Sequence, residues 1–496
     1  MQVPFQRIIP AAAITIFLVL AVSSARTNRP QIDEGMFASP AYNLAFNGFF
    51  GTTVLEKEQA SLTRIDERTY WVMPLFLLNV AASFKAFGFS IFTIRLVSIF
   101  WGVILLLSIY AIAWKMSRDR IVALFALCLA SCDYMVLETG SSGRMDMMSA
   151  ALGFAAIAVY LLLRENRLLL AVLLSQTIVV LDGLTHPNGI MAFVGVLVLT
   201  IYFDRRRLSL PVVLAALAPY AVGGLCYGLW VFQDPTAFKE QFIDNATMGG
   251  RMSAFSAPLD NILREFTERY PHAFGMQGNS SGHTGPIYLK GLMLIGYIAG
   301  LIGVLAVKEL RDNRNYRILL VVTGLYFLIV AFIDGQKETP YLIQIVPLYL
   351  IFLAALLGWL WKDRFFRPAF VLSFAAFFML LPAAGMSYRV SQNTYGNFYL
   401  PMIHYLKQNM GPDDYVMGGA ELAFGLGFES NIIADGRFGF YTGKRPRYIV
   451  YDSSVEISWR DSKMFFPAFY DYFPKLLADE YKVAFENAGF TVYEHK

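Results

Sequence analysis

Charge is scarce in this sequence: Asp, Glu, Lys and Arg make up 16% of its 496 residues, against about 25% in soluble globular proteins. Set beside an apolar content of 56%, that deficit excludes an ordinary water-facing domain and indicates an integral membrane protein. The net charge is only +4 and no basic, aromatic-rich patch is present, which excludes nucleic acid as a partner. Cysteine is scarce too. Cys128, Cys132 and Cys226 lie inside apolar runs, where cysteine packs as a small hydrophobe, so neither a disulfide framework nor a cysteine metal site is indicated. Evenly spaced short alternating strands are missing from the first 386 residues, which excludes a barrel. No internal repeat is visible, so an inverted-repeat transporter is unsupported.

What is there is a series of long apolar segments. Crossing a bilayer as a helix takes roughly 20 apolar residues, and eleven segments qualify: 8–24, 91–114, 121–138, 146–163, 168–185, 188–203, 211–232, 287–307, 318–333, 341–361 and 368–386. Residues 1–25 mimic a secretory leader, with Arg7 before an apolar run and Ser23-Ser24-Ala25 as a mock cleavage site, but read better as an uncleaved first helix. A twelfth stretch, 71–88, contains Pro74, Asn79 and Lys85 and would invert the sidedness of everything after it. Charge decides against that. With eleven crossings, the connectors WKMSRDR, RENR, DRRR, KELRDNRNYR and KDRFFR hold 15 Lys or Arg on one side, whereas the opposite connectors contribute only Arg144 and Lys337. The positive-inside rule makes the basic side cytoplasmic. Stretch 71–88 is then interfacial, and the outer side carries loops 25–90 and 233–286 and everything after about 387.

Two domains follow: a transmembrane domain over 1–386 and a small outer α/β domain over 387–496. In the latter YVMGGA, RYIVYDSS and FTVYEHK read as strands, and FYLPMIHYLKQNM and FPKLLADEYKVAFENAG as helices. Its GGAELAFGLG stretch lacks the Lys-Ser or Lys-Thr of a phosphate loop and reads as turn and packing glycines.

The unusual polar residues gather on the outer side. They are Asp33-Glu34, Glu67-Arg68 with Tyr70-Trp71, Arg144 and Asp146, His186, and Lys337-Glu338 with Tyr341. Ionisable groups at that depth are costly and mark function by default, although each has a bland reading. Asp33, Glu34 and Asp146 suit the first turns of helices, Arg144 suits a membrane-edge anchor, His186-Pro187 a helix break and Lys337 a solvated turn. His272 and His283 fit no pattern.

The order of these motifs resembles the GT-C glycosyltransferases, in particular the bacterial protein-mannosyltransferase-like and aminoarabinose-transferase-like branch. The matching residues are Asp33-Glu34, Glu67-Arg68 with Tyr70-Trp71, Phe87-Gly88, Arg95-Leu96-Val97-Ser98, Arg144-Met145-Asp146-Met147, and Tyr341 with Pro347, over roughly residues 8–390. Two departures stand out: Glu67-Arg68-Thr69-Tyr70 replaces the branch's Glu-Lys-Pro-Pro, and Thr185-His186-Pro187-Asn188-Gly189 replaces an outer-turn Lys-Gly. The resemblance implies the GT-C fold and inverting transfer of a sugar from a polyprenyl or dolichyl phosphate to a glycan, lipid or protein hydroxyl outside a bacterial inner membrane. It implies Asp33 as the general base and a substrate-binding set of Glu34, Glu67, Arg68, Tyr70, Arg144, Asp146, His186, Lys337 and Tyr341, with Glu34 supporting Asp33 or the sugar. No cofactor is required, because protein cations are at hand for a monophosphate; an Asp33 and Asp146 pair is the one place for a divalent metal. The rivals are an oligosaccharide ligase or polymerase using a pyrophosphate donor, a transporter or flippase, and a non-catalytic sugar sensor.

Overall fold

A computed structural model describes residues 3–56, 62–248, 251, 257–276, 288–362, 367–452, 455–456, 459–460, 462–463 and 466–496. Every one of the eleven apolar segments is helical. The membrane-side helices are α1 (Val3–Thr27), α2 (Ile32–Tyr42), α3 (Pro74–Phe87), α4 (Ile91–Ser117), α5 (Arg120–Cys132), α6 (Tyr134–Gly140), α7 (Met145–Leu163), α8 (Leu168–Gly183), α9 (Gly189–Asp204), α10 (Leu210–Val231), α11 (Tyr288–Ala306), α12 (Arg314–Ile333), α13 (Val346–Lys362) and α14 (Pro368–Gln392). Among the described residues seven helices are long and apolar enough to cross a membrane, or eight if the bent pair α5 and α6 is one span. The shorter α8 and α13 are apolar but have 16 and 17 residues. The chain is an integral membrane protein.

Local chemistry sets several boundaries. Ser90 caps α4, its hydroxyl accepting from the Thr93 amide at 3.0 Å. Asp133 breaks the α5–α6 segment: its carboxylate accepts from the Met135 and Val136 amides at 2.9 and 3.2 Å, starting a new helix at a bend of 55°. Helix α3 begins at Pro74, whose missing N–H costs nothing at a first turn. At about 1.5 Å per residue its 14 residues fall short of a bilayer core. It packs Phe76, Val80, Ala81 and Phe84 with Phe37, Ala38 and Ala41 of α2.

The transmembrane core packs α7 between α4 and α8, and α11 against α13. Glycine permits the last contact: a Cβ on Gly300 would lie 2.5 Å from the Leu353 backbone nitrogen. Phe17 of α1 is fully buried over a notch made by Gly102 and Gly140.

The C-terminal region is three-layered. Its strands are β1 (Val416–Gly418), β2 (Ile432–Ala434), β3 (Tyr448–Asp452), β4 (Tyr481–Glu486) and β5 (Phe490–His495), and its principal helices are α15 (Leu400–Asn409) and α16 (Pro467–Glu480). The sheet order is β2-β1-β3-β5-β4, parallel on the β1 side and antiparallel on the β5 side. Side-chain alternation divides the core: Val416, Tyr448 and Val450 face Met402, Ile403 and Leu406 of α15, whereas Met417 and Ile449 face Phe469, Phe473 and Leu476 of α16.

Two expectations are corrected here. Helix α14 continues through 387 to Gln392. The stretch FPKLLADEYKVAFENAG is helical only to Glu480; Tyr481–Glu486 is strand β4, closed onto β5 by Asn487, whose side-chain oxygen accepts from the Gly489 and Phe490 amides at 2.9 Å. The C-terminal sheet is also completed by the loop after α2. Ala434 donates to Val54 O at 2.9 Å and accepts from the Glu56 amide at 3.2 Å, so residues 54–56 lie along the free edge of β2. Gly300→Leu, which forces α11 off α13, should lower the thermal midpoint of the detergent-solubilised protein by several degrees, given about 1–3 kcal/mol for overpacking; differential scanning fluorimetry measures it.

Candidate active site

The site begins with an ion pair that takes no part in it. Glu34 and Arg95 have side chains 0% and 2% exposed. Arg95 Nε and Nη2 fork onto the two Glu34 oxygens, each at 2.7 Å. The remaining guanidinium hydrogens go to the carbonyls of Ala25, Asn28 and Arg29 at 2.7–2.9 Å. Glu34 also accepts from the Gln31 amide at 2.9 Å and the Gly143 amide at 2.6 Å. All four acceptor directions of the Glu34 carboxylate are used, so its two oxygens are committed to the frame, in place of the expected substrate contact.

Successive helix residues point about 100° apart, so burying Glu34 turns Asp33 outward. The Asp33 side chain is 43% exposed and ion-paired to Arg144. Arg144 sits at the N-cap of α7, and its Nε donates to Asp146 Oδ2 at 2.9 Å. Asp146 is buried, and its Oδ1 has no partner among the described residues. An acid, a base and a second acid on one guanidinium thus come from α2, the 141–144 turn and the first turn of α7.

His186 and Tyr341 join them, their rings 5.0 Å apart edge to face. His186 Nδ1 accepts from the Asn188 amide at 3.0 Å, which assigns the proton to Nε2. Burial pushes this imidazole down to about 4, against the pull of Asp146, so it is a neutral donor at physiological pH. Glu338, from the same turn as Tyr341, is held above the usual carboxylate range by burial, against the pull of Arg144. The exposed Arg251 lies close enough for its charge to act on His186, Glu338 and Tyr341, and its carbonyl accepts from the Gly335 amide at 3.0 Å. Neither Arg251 nor a role for Glu338 was legible in the sequence. Arg251 stands alone in a long outer loop and forms no motif; only its sign and its side of the membrane hinted at it.

Lys337 departs from expectation. Its side chain is 2% exposed and bonded to Glu265 Oε1 and Ala331 O, both at 2.9 Å. Beside it Arg269 holds Asp334 at 2.9 Å, and Asp334 accepts from the Gln336 and Glu338 amides at 3.0 and 2.5 Å. These buried ions strap the 258–269 segment to the 334–339 turn, and Lys337 is committed to Glu265 and the Ala331 carbonyl. Tyr70 differs likewise: it is 1% exposed, with its hydroxyl on Trp230 O at 3.0 Å and its amide on Gln241 Oε1 at 2.7 Å, and it serves packing. Glu67 is exposed and Arg68 half-buried, and they sit in a separate cluster with Arg64, Gln233 and Asp234, where Arg68 donates to the neutral Gln233 amide. No described contact joins that cluster to Asp33. His272 is exposed, and His283 lies outside the described residues. Among the described residues no three His, Cys, Asp or Glu side chains converge.

No protein-family model and no curated protein matches the chain. Solved structures do. ArnT from Cupriavidus metallidurans bound to undecaprenyl phosphate is similar at a TM-score of 0.59 and 12% identity, over 99% of this chain and 98% of that one. The oligosaccharyltransferase of Archaeoglobus fulgidus, tethered to an acceptor peptide, is similar at 0.60 and 13%, over 100% and 74%. The fold is GT-C. At such identities the likeness is one of architecture, and within the GT-C fold the roles of individual residues rest on the geometry above.

Two outcomes test that geometry. Arg95→Met should cost about 3–5 kcal/mol, as breaking a buried pair does, and be read as a large drop in thermal midpoint. Lys337→Met strands Glu265 in the same way and should lower the midpoint while leaving lipid-phosphate affinity unchanged in a binding titration.

Proposed function

We propose that the protein is an inverting glycosyltransferase that moves a monosaccharide from a polyprenyl phosphate to an acceptor hydroxyl on the outer side of a bacterial inner membrane, across which the chain passes eleven times. The observation that carries this reading is the exposed Asp33, braced from behind by a sealed ion pair and set on one face with Arg144, Asp146, neutral His186, Tyr341 and the exposed Arg251. Structural neighbours lend support, being solved with undecaprenyl phosphate and, in the archaeal enzyme AglB, with dolichol-phosphate.

In this mechanism Asp33 removes the proton of the acceptor hydroxyl. The acceptor oxygen forms its bond to the anomeric carbon as the bond from that carbon to the phosphate oxygen breaks. The electron pair leaves with the polyprenyl phosphate. Negative charge grows on that phosphate, so fixed donors aimed at it lower the barrier. Arg251 supplies the cation, with Tyr341 and the His186 Nε2–H as neutral donors; Arg68, bonded to a neutral amide, is a further cation at the outer rim. Arg144 with Asp146 orients Asp33. Double displacement needs a second carboxylate as nucleophile, and Glu34, locked on Arg95, is withdrawn from that role. Inversion follows.

A second reading, transfer of an oligosaccharide from a lipid pyrophosphate, has the archaeal likeness in its favour, and that enzyme was solved in complex with Zn and sulfate. The protein should therefore be incubated with polyprenyl monophosphate sugars and pyrophosphate oligosaccharides, with and without EDTA. Consumption of a monophosphate donor unaffected by EDTA supports the first reading; metal-dependent consumption of a pyrophosphate donor supports the second. On the active donor, Asp33→Asn should reduce turnover by roughly 10²–10⁴-fold, the usual worth of a general base, while donor affinity holds. Arg251→Ala should weaken polyprenyl phosphate binding by roughly 10–100-fold, since a charged hydrogen bond is worth about 1.5–3 kcal/mol.

A further inference from the structure

The outer domain touches the helix that carries Asp33, and it does so backbone to backbone. A Cβ on Gly35 of α2 would lie 2.2 Å from the carbonyl carbon of Ala420 and 2.5 Å from the Glu421 amide nitrogen. Only glycine at 35, about 200° round α2 from Asp33, lets the Ala420–Leu422 turn press this close. The turn is held from its own side by Tyr399, whose hydroxyl donates to Glu421 O at 2.6 Å. Around it the junction is extensive. Arg29 bonds Asp452 at 3.2 Å and Gly489 O at 3.2 Å, Phe89 stacks on Phe424 at 5.6 Å, and Tyr42 meets Phe428 at 5.2 Å.

Glu421 is anomalous in this setting. It is 4% exposed, and its Oε2 has no partner among the described residues. The charged groups that face it are Asp452 from β3, Arg29 after α1 and Glu34 from α2; Arg95 of α4 stands behind Glu34. Glu34 is balanced by Arg95 and Asp452 by Arg29. A third carboxylate would be a surplus negative charge in a desolvated seam, where repulsion is poorly screened.

We infer that Glu421 is a positioning residue for Asp33: protonated, it lets the outer domain clamp α2, and ionised, it repels Glu34 and Asp452 and releases the clamp. The inference rests on the reading of Asp33 as the base. Burial first, then Asp452 and Glu34, push the Glu421 carboxyl up to about 8, with Arg29 opposing, which puts the release just above neutrality. The sign follows from linkage. Between the ordinary carboxylate range and about 8 the folded chain holds a proton that the unfolded chain has lost, so this group's contribution to stability falls as pH rises through that window.

The test has a structural arm and a kinetic arm. In the first, hydrogen exchange of residues 31–42, corrected for intrinsic rates, is measured at pH 7 and pH 9 in the wild-type protein and in Glu421→Gln, a neutral isostere. The wild type should lose protection in α2 by several-fold at pH 9 and Glu421→Gln should keep it; equal protection in both proteins at both pH values overturns the inference. The wild-type comparison stands even if the variant fails to fold. In the second, kcat for sugar transfer should fall in the wild type as pH passes about 8 and stay level in Glu421→Gln, with donor KM unchanged in each, whereas an identical alkaline limb in both overturns the inference. Failure of the glycosyltransferase reading would show separately, as no consumption of any lipid-linked sugar, and would leave the exchange result intact.

Discussion

A carboxylate and a guanidinium sealed away from solvent organise the face of this protein that carries Asp33. Arg95 spends its five N–H groups on Glu34 and on three carbonyls at the end of α1, so that α1, α2, α4 and the Gly143 turn are fixed to one another through a single planar ion. Such a pair contributes little net stability, because desolvation offsets its attraction, but it is costly to break and therefore specifies one arrangement. The arrangement it specifies is the rotation of α2. With Glu34 sealed inward and Gly35 pressed on the outer domain, Asp33 has one direction to face.

The same division recurs across the molecule. Glu265 and Arg269 are sealed into ion pairs with Lys337 and Asp334 of the 334–339 turn, and on the opposite side of their own segment Leu259, Leu263 and Phe266 are exposed at helical spacing. That is the signature of an element lying in the membrane interface, apolar side to lipid and ionic side to protein. The sealed ions hold the 334–339 turn in shape, and the turn delivers Glu338 and Tyr341 to the face where Arg144, Asp146 and His186 stand. Beside them stand the half-exposed Asp33, the buried neutral His186 and the exposed Arg251, which the proposed mechanism casts as base, donor and cation.

Much of this was legible in the sequence. Eleven apolar runs became helices because their length and hydropathy favour that state, and motif order singled out Asp33, Arg144, Asp146, His186 and Tyr341, of which the structure pairs Arg144 with Asp33 and Asp146 and sets His186 against Tyr341. The resemblance cast Asp33 as the base and Glu34 as its support, but the means was hidden: the partner that seals Glu34 inward, Arg95, lies 61 positions away. Lys337 resembled a ligand for a phosphate because its partner Glu265 lies 72 positions away. Arg251 was passed over for the opposite reason, having no neighbour to make it conspicuous. The strand at Tyr481–Glu486 was hidden by the helix that runs directly into it, and its pairing with β5 outweighed local propensity.

The central claim is that paired ions build the frame while the rim of Asp33, His186, Tyr341 and Arg251 meets the donor. Its most direct test is an experimental structure of the protein in lipid with a bound polyprenyl phosphate. The account predicts the phosphate within hydrogen-bond distance of Arg251, with Tyr341 or His186 as a second donor and both the Glu34–Arg95 and Lys337–Glu265 pairs intact. A phosphate held by Lys337 after its release from Glu265, with Arg251 left in solvent, would contradict it.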